Sequence, residues 1–197
     1  MSLLVPTHRA WEASHGIDQI DVARANAIRK TYDIFSILQS HRIDLSEASV
    51  WHVAETILEE SEKYSLDPML ILAIINVESS FRHRAVSPRG ARGLMQIRPF
   101  VADALVTEME FKRWEGKEGL DDPITNIKLG IFYLASLRER FGDLKVALTA
   151  YQWGPTEIKT RLERRETLPV GYARRVLSSY SGYTQQTGQE QRELPAS

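Results

Sequence analysis

Glu78 is the residue in this chain whose type and position suggest chemistry. It stands where an almost wholly apolar run, Pro68 to Val77, stops, and it is followed by a segment without any acid: between Ser79 and Ala102 there is no Asp or Glu. A carboxylate at such a place has two readings. It is either a surface glutamate at a frayed helix end, or a carboxyl partly removed from water, whose neutral form is favoured and which can then act as a general acid near neutral pH. The acid-free window carries Arg82, Arg84, Arg89, Arg92 and Arg98. These arginines make the ground beside Glu78 positive, which favours its ionised form, so burial must outweigh them for the acid role. Ordinary glycosidases use two carboxylates, about 5–5.5 Å apart in retaining enzymes and wider in inverting ones. No second acid lies close in sequence, and Asp121, Asp122 and Asp143 read better as helix caps.

Other chemistries lack their residues. The chain has no cysteine, which excludes disulfides, thiol catalysis and Cys-ligated metals. The five histidines, His8, His15, His41, His52 and His83, are scattered without zinc-ligand spacing and read as solvated, so no metal or other cofactor is expected. No nucleophile elbow and no phosphate-cradling loop occur. With 25 basic and 26 acidic residues the net charge is −1, and nothing in the overall charge points to nucleic acid.

The elements that must position Glu78 are helical. Asp67-Pro68 is a cap followed by a proline in the first turn, and Leu70, Ile71, Leu72, Ile74, Ile75 and Val77 leave scarcely any polar face, so this helix should be buried on most sides. Helical spacing also predicts a peripheral helix over 17–38 and a second helix over 46–64. Arg98-Pro99 begins a short helix, and 108–122 reads as an irregular excursion. Asp122-Pro123 starts a long helix that Gly142 ends; Asp143 caps another, Gly154-Pro155 breaks it, and 170–180 forms the last. The fold class is all-α or nearly so, with short extended pieces allowed in the 85–97 loop. The 197 residues suit one domain at 46–183, preceded by an extension with its helix over 1–45 and followed by a polar tail at 184–197 that reads as disordered. No signal peptide is visible and no stretch approaches a membrane span.

Four ordered motifs remain: VESSF at 77–81, VSPRGARGLMQI at 86–97, DPITNIKLGIFYL at 122–134 and LTAYQWGP at 148–155. Together they resemble the catalytic domain of soluble-type bacterial lytic transglycosylases, relatives of goose-type lysozyme, over roughly residues 64–180. The resemblance implies a lysozyme-like domain with a catalytic groove that cleaves the β-1,4 bond between N-acetylmuramic acid and N-acetylglucosamine in peptidoglycan strands. Glu78 would protonate the glycosidic oxygen, then act as base towards the muramic 6-hydroxyl, leaving a 1,6-anhydro end. One carboxyl suffices there, because the sugar's N-acetyl oxygen and its own hydroxyl replace the second acid and water. By the same resemblance Ser79 would hydrogen-bond near the acid, Gly93 would let sugar approach, and Leu94, Met95 and Gln96 would belong to the cleft. Tyr133 and Tyr151 would line it, with Tyr151 bonded to Glu78 or substrate, and Tyr172 would stand near the groove. From their residues alone, Met95 reads as core packing and the tyrosines as buried rings, while Asn126 and Gly130 read as structural. Gln152 departs from the family's asparagine, keeping the amide but one methylene longer. Trp153 offers a stacking face or packs. A periplasmic or cell-wall location, and a cell-wall or secretion partner, are what the family suggests. The competing readings are a hydrolase on the same scaffold and a glycan-binding or assembly module without turnover.

Overall fold

The cap-and-proline signals act where they stand in the sequence. In the computed structural model, which describes residues 8–41, 43–111 and 114–193 with the side chains of 21–41, 43–111 and 114–188, the Asp67 carboxylate accepts from the Met69 N–H at 2.8 Å and starts helix α3, Pro68–Ser79. Asp122 and Asp143 do the same for α5, Pro123–Phe141, and α6, Leu144–Trp153, each at 2.8 Å to the N–H three residues on. Ser46 caps α2, Glu47–Lys63. Helices α4, Pro99–Glu108, and α7, Pro155–Glu163, begin on proline alone. Gly142, at φ 70°, closes α5 in the left-handed conformation that glycine adopts without cost. Asp121 is the exception among the expected caps. It ends a short 3-10 helix, Gly116–Asp121, inside the region expected to be irregular, and its carboxylate holds the Arg92 guanidinium through two hydrogen bonds.

Helix α3 is the centre of the packing. Ile71, Leu72, Ile74 and Ile75 have no exposed surface, and the helix lies against α1, His8–Ser40, against α2 and against α8, Gly171–Glu193. Each such side chain taken out of water contributes about 1.5–3 kcal/mol. Helix α1 is peripheral only in its earlier turns: residues 21–30 are exposed, whereas Ile34, Ile37 and Leu38 enter the same core as α3. Helix α8 runs on to Glu193, well past the point at which polar composition suggested a disordered tail. Tyr183 is buried there with its hydroxyl 3.0 Å from His41 Nε2, and Thr184 and Thr187 donate back to the carbonyls four residues earlier. A helix already nucleated extends at little cost through Gln and Glu. Residues 194–197 lie outside the described part.

The 85–97 loop has the expected extended pieces as two isolated antiparallel bridges, Val86 with Arg92 and Arg92 with Ile97, and there is no longer strand among the described residues. Its anchor is Asn126 in the first turn of α5. That side chain is fully buried, accepts from the Met95 N–H at 2.8 Å, and donates to the Arg92 and Leu120 carbonyls at 2.9 and 3.0 Å. Asn126 and Gly130 are therefore structural, as their residue types suggest. Replacing Asn126 by Ala would strand three buried backbone groups, each worth about 1–3 kcal/mol when left unpaired. Asn126→Ala is expected to lower the unfolding free energy by about 3 kcal/mol or more, read as a reduced denaturant midpoint at unchanged slope.

Candidate active site

Glu78 occupies the last full turn of α3, so the apolar burial of that helix carries the carboxyl out of bulk water. Its pKa is pushed up from the ordinary 4.5 to about 7, chiefly by this loss of solvation. Two groups act in the opposite direction: the Tyr172 hydroxyl, then the positive charge of Arg175. The Tyr172 hydroxyl is buried within reach of the carboxyl but lacks the geometry of a regular hydrogen bond, and it has no other partner among the described residues. None of the five arginines of the acid-free window contributes to the shift, and the burial that the acid role requires does prevail.

The carboxyl faces a groove of about 360 Å³. One wall is the 87–101 loop, with Ser87, Arg89, Gln96 and Arg98; the other is Tyr133 from α5 with Tyr151 and Gln152 from α6. Among the described residues, Glu78 is the only acid lining it. The tyrosines form a row of ring contacts: Tyr133 and Tyr151 at 5.1 Å between ring centres and tilted by 44°, then Tyr151 and Tyr172 at 6.5 Å and parallel. Burial holds the hydroxyls of Tyr151 and Tyr172 well above their ordinary pKa, so both stay protonated as donors.

Of the residues singled out from sequence, Glu78, Gln96, Tyr133, Tyr151 and Gln152 meet in the groove. Gln96 holds a left-handed backbone at φ 50°, and its amide donates to the carbonyls of Ala85 and Gly93. Tyr151 donates to the Met95 carbonyl at 2.9 Å rather than to Glu78; Tyr172 is the ring whose hydroxyl addresses the acid. Ser79, Gly93, Leu94, Met95 and Tyr172 do not line the groove. Ser79 is buried and its hydroxyl donates to the Ile75 carbonyl at 3.0 Å, the usual back-bond of a helical serine. Leu94 and Met95 are core residues, and a side chain at Gly93 would overlap Asn126 and the Leu120 carbonyl rather than a ligand. A side chain at Gly130 would overlap Met95. Trp153 is half exposed at the end of α6, outside the groove.

Sequence reasoning missed Phe100 and Arg175. Phe100 lines the groove and is 66% exposed, an unusual position for a large ring, and Arg98 lies over it at 6.0 Å. Arg175 sits over the Tyr172 ring at 5.8 Å; its one signal in sequence is a spacing of three residues from Tyr172 on a helix. His83, expected to be solvated, is 7% exposed.

A raised carboxyl pKa is also a statement about stability. The folded protein keeps the Glu78 proton up to pH about 7, whereas the unfolded chain releases it near 4.5, so the folded state binds more protons in between. Stability from this group is full below 4.5, falls as pH rises through that window, and levels above 7, with a total loss of about 3 kcal/mol. Glu78→Gln removes this dependence. Denaturation at pH 4 and pH 8 is expected to show the variant gaining about 3 kcal/mol relative to the native chain at the higher pH.

Comparison with known proteins agrees with the motifs. The family model for the transglycosylase SLT domain matches residues 55–170. The transglycosylase of Enterobacteria phage PRD1 is 37% identical over 103 residues, covering 52% of this chain and 35% of that protein. The soluble lytic murein transglycosylase of Salmonella typhimurium is 32% identical over 135 residues, 61% of this chain and 21% of that protein. Among solved structures, an inactive mutant of the lytic transglycosylase Slt from Pseudomonas aeruginosa superposes with a TM-score of 0.60 at 28% identity, covering 68% of this chain and 24% of that one. This chain therefore spans about a third or less of the length of these relatives. With the family model covering more than half of its residues, and with the all-α lysozyme-like architecture around a half-buried glutamate, the chain belongs to the transglycosylase SLT domain family.

Proposed function

We propose that this domain is a peptidoglycan lytic transglycosylase, and that Glu78 serves as both acid and base. The observation that carries the reading is a single half-buried carboxyl, protonated up to pH about 7, as the only acid lining the groove among the described residues. Protonated Glu78 donates to the oxygen of the bond between N-acetylmuramic acid and N-acetylglucosamine. Among the described residues no carboxylate stands opposite to trap the anomeric carbon, so the substrate's own groups supply the nucleophile: the N-acetyl oxygen transiently, and then the muramic 6-hydroxyl. The ionised Glu78 takes the proton of that hydroxyl as the C1–O6 bond forms, and the 1,6-anhydro end leaves with no water consumed. Gln96 and Gln152 offer amides to the sugar, and Tyr133 and Tyr151 shape the wall beside it. The printed names of relatives as murein transglycosylases support this assignment. Its substrate places the protein's work in the cell wall or periplasm, and no helix among the described residues is long and apolar enough to cross a membrane.

Digestion of purified peptidoglycan with mass analysis of the soluble products tests the proposal. Muropeptides one water lighter than hydrolytic products are expected, and Glu78→Gln should lose about 10²–10⁴-fold in rate. Products of full mass would show hydrolysis instead, and undiminished turnover by Glu78→Gln would remove the assigned acid. Because the acid must start protonated, kcat/KM should fall as pH rises through about 7. Tyr172 and Arg175 both hold that pKa down, so the falling limb of the pH profile is expected to move to higher pH in Tyr172→Phe and in Arg175→Gln.

A further inference from the structure

The turn that leaves α3 makes a second concavity, of about 480 Å³, which the mechanism above does not use. Ser80 and Phe81 are both left-handed, at φ 49° and 62°, and this pair of strained residues turns the chain so that Arg82, His83 and Arg84 face one space with His41 from the end of α1. Phe81 is the floor that holds the turn: it is 1% exposed and lies stacked under the His41 ring at 4.0 Å. Among the described residues, two arginines and two histidines line the concavity against one acid, Asp44. Burial lowers the pKa of His41, so it contributes a hydrogen-bonding ring more than a charge. Arg82 donates its Nε to the Ser79 carbonyl at 3.0 Å, and neither Arg82, His83 nor Arg84 forms an ion pair among the described residues. His83 is 7% exposed and lines the cavity without a hydrogen-bond partner among those residues. Two arginines and a buried unpartnered imidazole around one space make a site for an oxyanion.

Its position indicates which oxyanion. Val86 lines this concavity and Ser87, the next residue, lines the groove of Glu78. The Gln96 amide, on the groove side, donates to the Ala85 carbonyl at 3.0 Å on the other. The two spaces are thus neighbours along the 85–87 segment, whose consecutive residues Val86 and Ser87 line one and the other. We propose that this basic concavity seats a carboxylate of the peptide substituent borne by the glycan strand, and that Arg84 and His83 are its principal contacts. The proposal rests on the glycan-cleaving function above and adds a determinant for strands that carry peptide over bare strands.

Titration calorimetry on the intact protein separates the possibilities, with three probes: a free stem peptide with its carboxylates, the same peptide fully amidated, and inorganic phosphate. The carboxylate peptide is expected to bind about 10-fold more tightly than the amidated one, and Arg84→Gln to abolish that difference. Equal binding of the two peptides, or an unchanged preference in Arg84→Gln and His83→Gln shown by circular dichroism to be folded, would overturn the proposal. Phosphate binding as tightly as the carboxylate peptide would also overturn it, in favour of a general anion site. In turnover, the ratio of KM for peptide-free to peptide-bearing strands should be well above one in the native chain and near one in Arg84→Gln. Were the native protein to cleave neither strand, the proposed activity would fall, while the peptide titration would still decide this site.

Discussion

The desolvation of one carboxyl group is the constraint on which the rest of this domain depends. Glu78 is costly to ionise because α3 has almost no solvent face, and α3 has no solvent face because α1, α2 and α8 surround it. The same burial that stabilises the core therefore sets the proton affinity of the group that opens onto the groove. The cost falls on the ionised state: a glutamate fully in water would have lost its proton well before neutral pH.

Around that carboxyl, backbone and side chain have separate tasks. The GLMQ segment looks at first like a set of side chains directed to a ligand, yet only Gln96 reaches the groove. Leu94 and Met95 are sunk in the core, and the Met95 peptide group is what joins the site together, its N–H bound by Asn126 and its carbonyl by Tyr151. Gly93 and Gly130 have no room for a side chain because protein, not substrate, comes close to them. The loop wall is thus tied to α5 and α6, the two helices that supply the opposite wall. A buried amide and a buried phenol hold the groove's width by hydrogen bonds that have no water to compete with them.

The arginines resolve into separate groups. Arg92 is spent on Asp121, Arg89 and Arg98 line the groove, and Arg82 and Arg84 turn into the neighbouring concavity. The cation that does act on Glu78 is Arg175, brought from α8 by way of the Tyr172 ring. Positive charge lines the groove through Arg89 and Arg98 without removing the proton of Glu78, because loss of solvation is the largest influence on that carboxyl.

Local chemistry made much of this readable from the chain alone. Asp67, Asp122 and Asp143 before proline or an apolar run, and Gly142 after one, act within a few residues, so their helix boundaries follow from sequence. The motifs likewise pointed to the family, because spacing along a helix and loop is a local property. What depended on partners far along the chain was not readable. Asp121 could not be told from a cap until Arg92 met it, Tyr172 rather than Tyr151 turned out to be the hydroxyl that addresses Glu78, and the helix begun at Gly171 continued to Glu193. The direction of a side chain towards core or groove, and the degree to which a carboxyl is removed from water, are set by which helices pack against it. A sequence names the groups, but only tertiary packing determines the dielectric in which Glu78 holds its proton.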